Sequence, residues 1–278
     1  MTTTHVCLIS IQAIANLLPL LLEKPDGAVF LVSPEMAAQA ERLARVVQPR
    51  GIRVEHKTID AYDFDEVTAV CQELLADGSR ELTLNVTGGT KIAALAAFQT
   101  FFFDDKRIIY CDTQHDHLLQ LAPQRQITKI TDNILKVRDS LACYGIPQVA
   151  GGSAPNGSEQ RRQHLANLAG LLADRELLSK LNTALEKQGR KAYANITFNE
   201  LGQEAEQLAA LLSQCSVATI ISDNSLNIPS EDTLFFCKGG WLEEYVYWTA
   251  KALQIKGIDV AINVRVQWDG KGRQTTEN

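Results

Sequence analysis

The sequence predicts an α/β protein whose first half is a doubly wound, mostly parallel sheet. Three observations carry that reading. Apolar, strand-like runs alternate four times with segments of helical periodicity. The fourth strand runs straight into a Gly-Gly turn and a helix, LNVTGGTKIAALAAFQTFFF, residues 84–103. A stretch rich in Gly, Pro and Ser, GIPQVAGGSAPNGSEQ (residues 145–160), then closes the alternation, and mainly helical patterns follow.

The elements are read in order. Residues 5–10 form a buried-type strand and 11–22 a helix. This apolar start has no Lys or Arg before it, and Gln12, Asn16 and Pro19 interrupt it, so strand plus helix fits better than a leader or a membrane span. Residues 27–32 are a second strand, and Pro34 opens the next helix, where a missing N–H costs nothing. Residues 52–59 alternate like a strand, 63–76 are amphipathic, and 107–112 and 117–122 suit a terminal hairpin. Residues 131–144 read as a closing helix. The expected organisation is an α/β domain over 1–145, a linker over 146–160, a winged-helix-like module over 161–237 and a further domain beginning at 238. In the module, 161–173, 176–188 and 198–214 read as helices, the last capped by Thr197 or Asn199. Residues 217–236 read as a hairpin turning near Asp223-Asn224. A helix over 241–255 and a strand over 258–268 complete the chain, with Val260, Ile262, Val264, Val266 and Trp268 on one face.

Composition narrows the function. Apolar residues make up 45% of 278, enough for a substantial core. Lys plus Arg number 27 against 33 Asp plus Glu, so nucleic acid could be held only by a local patch. Cys7, Cys71, Cys111, Cys143, Cys215 and Cys237 form no C-x-x-C pair, which suggests reduced thiols and a cytoplasmic protein without a membrane partner.

In an open parallel sheet, ligands sit beyond the carboxyl ends of the strands. The turn Thr87-Gly88-Gly89-Thr90-Lys91 lies at such an end. Paired glycines free backbone N–H groups, and the following helix adds its positive pole. Lys91 sits unfavourably at that pole unless an anion lies between. The alternative is a plain tight turn with a solvated lysine. No G-x-G-x-x-G follows the first strand and no P-loop is present, which disfavours ordinary dinucleotide and ATP enzymes. Ser10, Gln12, Asn16, Ser33, Asp112 and Thr113 place polar groups at neighbouring strand ends, although each also suits a cap or turn. From Ile92 to Phe103 only Gln99 and Thr100 are polar. A helix apolar all round is covered on two sides, which predicts a homodimer with this helix at or near its interface.

The order strand, NVTGGTK, apolar helix, helical and winged module, then GGWLEEYV resembles the CRISPR-associated Rossmann-fold (CARF) effectors, and within them the branch joined to a restriction-endonuclease-like PD-(D/E)xK nuclease. The resemblance implies a Rossmann-like dimer that binds cyclic oligoadenylate, the second messenger of type III CRISPR defence, with cyclic tetra-adenylate as the expected ring. It carries the ligand role to Ser10, Gln12, Asn85, Thr87, Gly88, Gly89, Thr90 and Lys91, with Ser33, Asp112 and Thr113 beside them. It further implies a nuclease acting on DNA or RNA with Mg²⁺ or Mn²⁺, in which Glu243 matches the metal-binding helical acid and Glu244 its catalytic neighbour. An exposed acidic first turn is the plainer reading of that pair. No Asp followed by Glu-x-Lys comes after Glu243, and Glu55-His56-Lys57 falls inside the sensor sheet, so an incomplete active site is expected, with 241–278 partly exposed, poorly ordered or paired with another chain. Two alternatives stand beside this. One is a CARF transcription regulator, whose recognition helix over 198–214 would carry Glu200, Glu204 and Glu206 but no Lys or Arg. The other is a ring nuclease that cleaves its own cyclic activator.

Overall fold

The architecture comes from a computed structural model, which describes residues 1–130, 134–146, 148–155, 157–188, 192–222, 224–255 and 258–267. The chain forms two units. The first holds residues 1–150 together with Asp259 and the short strand at 265–266; the second holds 151–254 with 260–263.

In the first unit, β1 (Thr2–Leu8), α1 (Ile14–Glu23), β2 (Gly27–Val32), α2 (Ala37–Val47), β3 (Arg53–Thr58), α3 (Phe64–Ala76), β4 (Arg80–Asn85), α4 (Lys91–Phe103) and β5 (Arg107–Asp112) alternate as the sequence predicts. β6 (His117–Ala122) and β7 (Gln126–Lys129) add an antiparallel edge. The sheet order is β3-β2-β1-β4-β5-β6-β7, parallel through β5. One face of the sheet packs on α1 and α2 through Leu17, Leu20, Leu43 and Val47. The other packs on α3 and α4 through Val67, Cys71, Ala96 and Phe101. β1 and β2 are buried along almost their whole length, the signature of a strand covered on both faces. This is the Rossmann-like fold expected from the alternation.

The closing helix is shorter than predicted. α5 spans Val137–Cys143, while residues 131–133 lie outside the described residues. Gln39 of α2 donates to the Cys143 carbonyl and Arg50 pairs with Asp139 at 2.6 Å, which ties α5 to the α2 side of the sheet. The expected linker is not wholly irregular. β8 (Gln148–Ala150) lies within it and pairs antiparallel with the strand at 265–266.

The second unit begins with α6 (Glu159–Leu172) and α7 (Arg175–Glu186). Next come β9 (Ala194–Thr197), α8 (Phe198–Leu201), α9 (Ala205–Gln214), β10 (Thr219–Ser222) and β11 (Ser225–Ile228). The hairpin predicted over 217–236 is present only as β10 and β11, since Ser230 caps a helix over 231–235 in place of the expected strand; Asp223 of the turn lies outside the described residues, and β9 adds a third strand. The single helix predicted over 198–214 is broken. Gly202 adopts φ +86°, outside helical space, and its N–H returns to the Phe198 carbonyl to end α8. Thr197 caps α8 through a capping box with Glu200. α10 (Glu231–Phe235) leads through a kink at Gly239, whose φ of +150° is not helical, into α11 (Trp241–Ala252). Trp241 packs in the same core as Leu165, Leu181 and Leu212, so α11 belongs to this unit's core.

The strand predicted over 258–268 is reduced to β12 (Arg265–Val266). Asn263, at φ +53°, interrupts it, and Ile262 is buried with its carbonyl accepting the Gly152 N–H. Trp268 lies outside the described residues. Glu55 and Lys57 are ordinary β3 surface, paired with Arg80 and Glu73 at 2.9 Å each. No helix among the described residues is long and apolar enough to cross a membrane.

One half-buried ionic cluster braces the sheet. Glu23, at the end of α1, accepts from both Arg107 terminal nitrogens at 2.7 and 2.6 Å and lies 2.9 Å from the His5 ring. Burial alone would raise the Glu23 carboxyl, but the hydrogen bonds and charges of Arg107 and His5 overcome it and hold it at about 2. A depressed carboxyl contributes stability above its unfolded value near 4.5 and loses it as pH falls toward about 2. Glu23→Gln is expected to cost about 3 kcal/mol at pH 7 and to flatten the loss of stability between pH 5 and pH 2, measured by urea unfolding across that range.

Candidate functional site

β1 and β4 are neighbours, and the chain leaves them toward opposite faces of the sheet. Their connections therefore part, and a crevice opens between them at the topological switch point. It is a cleft of about 620 Å³. From the β1 loop come Ser10 and Gln12, from the β2 end Ser33, and from the β4 loop Thr87, Gly88, Gly89 and Thr90. Seven of the residues singled out in the sequence thus meet in one place.

Two buried asparagines hold the β4 turn in position. The Asn16 amide, on α1, donates to the Leu8 carbonyl at 2.8 Å. The Asn85 amide, at the end of β4, donates to the Asn16 side-chain oxygen at 2.9 Å and the Ala15 carbonyl at 3.0 Å. The Asn85 oxygen accepts from the Thr87 N–H and hydroxyl. Thr87 Oγ1 in turn accepts the Cys111 N–H of β5 at 2.7 Å. Asn85 is therefore a buried positioning residue and lines no part of the cleft.

The glycines are required by space. A Cβ on Gly88 would lie 2.3 Å from the Leu8 carbonyl oxygen, which is backbone and cannot yield. Gly89 has φ +79°. Among the described residues, neither N–H of this pair donates to a protein acceptor. Thr90 caps α4 by accepting the Ala93 N–H at 3.1 Å, and its hydroxyl donates to the Ala61 carbonyl. The result is two free donors beside the positive pole of a thirteen-residue helix.

Lys91 opens α4 just beyond the cleft lining, exposed and without an ion pair among the described residues. Asp112 and Thr113 stand at the carboxyl end of β5 but do not line the cleft. The Asp112 carboxylate is committed to its own hairpin turn, accepting the Gln114 and His115 N–H groups and lying 2.7 Å from the His115 ring. The sequence reading missed Glu35, Met36, Ala61 and Tyr62, which complete the lining together with Ile9 and Ile11 of the β1 loop. The available signal was their place after β2 and β3, whose carboxyl ends share this edge of the sheet. The Glu35 carboxyl is held below its ordinary range by its own N–H and the Ser33 hydroxyl.

The acidic pair on α11 has a different environment. Glu244 is buried and forms a two-pronged bond with Arg161 at 2.8 and 3.0 Å. The Arg161 guanidinium also donates to the Cys215 carbonyl and lies 5.4 Å from the Phe236 ring centre. Both Glu244 oxygens are thus spent on core packing. Glu243 is half-buried on the next position. Among the described residues, no three His, Cys, Asp or Glu side chains converge to hold a metal. The donor set among the described residues does not fit Mg²⁺ or Mn²⁺.

Residues 4–139 match the family model of the Card1 CARF domain. No curated protein matches the chain in sequence. Among solved structures, Can2 from Sulfobacillus thermosulfidooxidans in complex with cyclic tetra-adenylate is 24% identical, with a TM-score of 0.72, over 96% of this chain and 73% of its own. Protein VC1899 from Vibrio cholerae is 22% identical with a TM-score of 0.79, over 97% and 74%. A type III CRISPR defence DNA nuclease activated by cyclic oligoadenylate is 18% identical with a TM-score of 0.53, over 91% and 34%. The first unit accordingly has the Rossmann-like CARF fold, and the structural likeness extends over the second unit.

Two substitutions probe these assignments. Asn85→Ala strands the Thr87 N–H and the Asn16 side-chain oxygen and is expected to lower stability by about 2 kcal/mol, read by thermal or urea unfolding. Glu244→Ala leaves Arg161 partly buried without its partner and is expected to cost about 3 kcal/mol by the same measurement. A fold of unchanged stability would return Glu244 to the list of candidate functional acids.

Proposed function

We propose that this chain is a type III CRISPR accessory effector whose first unit senses cyclic oligoadenylate, with cyclic tetra-adenylate as the preferred ring. The observation that carries this reading is the Gly88-Gly89 turn, pressed against β1 at the switch point with two unspent N–H donors. A phosphodiester placed there accepts those N–H groups, takes up the field of α4 and brings Lys91 within reach of its charge. The lysine that is unfavourable at a bare helix start becomes favourable once the anion is bound. Cyclic tetra-adenylate in the Can2 complex supports the choice of ring.

A ring with repeating phosphates suits two equivalent turns. α4 buries Ala93, Ala96, Ala97 and Phe101 but leaves Leu95 60% and Phe103 79% exposed, with Ile92 and Phe102 partly so. The second cover over this face is a second copy of the chain, giving a two-fold dimer that holds one ring. Ligand binding to the first unit then regulates the second. The output that the family resemblance suggests is metal-dependent cleavage of DNA or RNA, and the described residues contribute no catalytic step to it.

Titration calorimetry with cyclic tetra-adenylate, cyclic hexa-adenylate and linear tetra-adenylate tests the sensing half. The expected result is one cyclic tetra-adenylate per two chains, weakened at least ~10-fold by Lys91→Ala. Unchanged affinity in that variant would remove the phosphate contact. Leu95→Glu is expected to yield single chains by light scattering, with unchanged far-ultraviolet circular dichroism and no ring binding.

A further inference from the structure

The cleft has two chemically different walls. One consists of Ser10 and the Gly88-Gly89 N–H groups and supplies donors. The other carries Glu35 and Tyr62, which also line an adjoining cleft together with Asp60 and Glu66. Asp60 and Glu66 are engaged within their own loop, Asp60 accepting the Tyr62 N–H at 2.8 Å and Glu66 accepting the Asp60 N–H at 3.0 Å. A phosphate against this second wall would meet like charge. The charged atoms of a bound nucleotide ring therefore take the first wall, and its bases are left for the second.

Tyr62 is suited to a base. Its side chain is 78% exposed, so it has no place in the core. It lines both the main cleft and an adjoining one of about 330 Å³, and Ser33, Glu35 and Ala61 are shared between the two. The hydrogen bonds to its own N–H and to the Ala61 carbonyl fix the backbone that carries it. A planar side chain on a fixed loop, facing open volume beside an anion site, is a stacking platform. Glu35 supplies the polar contact. A carboxylate only accepts hydrogen bonds, so it favours a base edge that bears an amine and opposes one that bears a carbonyl. Adenine has its 6-amino group at the position where guanine has an oxygen.

We propose that Tyr62 and Glu35 form the base-reading wall of the cleft, with the Tyr62 ring stacked on an adenine and the Glu35 carboxylate accepting from its 6-amino group. The inference rests on the sensing function proposed above and assigns its specificity to two residues. It is separable from the plainer role of Glu35 as an acid in the first turn before α2, because that role would not distinguish one base from another.

The test compares cyclic tetra-adenylate with the cyclic tetramer of purine riboside, which lacks only the 6-amino group. Full-length wild type is expected to bind the adenylate ring ~10-fold more tightly. Glu35→Ala is expected to reduce that ratio to about one, even if the lost negative charge raises affinity for both rings. Tyr62→Ala is expected to weaken both rings ~10-fold, while Tyr62→Phe binds as wild type. Both side chains are exposed, so the variants keep the fold, and circular dichroism checks this. A ratio that survives Glu35→Ala, or wild-type affinity in Tyr62→Ala, overturns this inference and leaves the sensing function standing. Failure of the wild type to bind either ring overturns both.

Discussion

The first unit depends on a buried amide relay. Where β1 and β4 part, the Gly88-Gly89 backbone stays open without letting the sheet end fray. Asn16 and Asn85 resolve this by linking the Leu8 carbonyl, the start of α1 and the Thr87 turn through side chains excluded from water. Each lost bond would leave a buried polar group unpaired, so the alternatives to the observed turn are costly. Gly88 can then press against Leu8 at a distance no other residue tolerates. The open donors of the Gly-Gly pair are a consequence of a turn fixed from behind.

Much of this was legible because the relevant signals are local. The strands β1 to β6, the turn at 87–90 and the apolar character of α4 all follow from runs of a few residues. What escaped the sequence depends on partners far away along the chain. β7 and β9 are short strands of four residues each, stabilised only by the neighbours they pair with. The strand expected over 258–268 had a good alternating pattern, but a pattern needs a partner edge, and β8 offers only three residues. The break at Gly202 was visible as a glycine but not as a break, because an isolated glycine is also tolerated within a helix. In the cleft, Ser10, Gln12 and Thr87 stood out because polar residues follow apolar strands. Tyr62 did not, because a lone aromatic in a loop carries no period.

The acids on α11 show the limit of reading a motif by its letters. Glu243 and Glu244 occupy the first turn of a helix, where acidic side chains are favoured by the dipole alone. The structure separates them. Glu244 faces inward and is matched by a planar, two-pronged guanidinium that also reaches the Cys215 carbonyl. The Arg161 side chain that makes this pairing begins in the first turn of α6, more than eighty residues earlier, so nothing near WLEE could reveal it. A buried carboxylate with both oxygens occupied belongs to the packing of its unit, and a free one is needed before metal chemistry can be assigned.

α4 joins the two halves of the sensing argument. Its inner side is built from alanines and Phe101, small enough to let the helix lie close on the sheet and on α3. Its outer side carries Ile92, Leu95, Phe102 and Phe103 into solvent, a cost that a lone chain has no reason to bear. Its N-terminus, at the same time, adjoins the cleft through the cap residue Thr90. Ile92 and Leu95 lie within about one helical turn of Lys91, so whatever covers the outer side also stands beside the ligand. A two-fold copy placed there would set a second Gly-Gly turn next to the first, and a symmetric anion would meet matching donors on both sides. The apolar face and the anion-binding turn are then one device, with ring binding and pairing of chains coupled through a single helix.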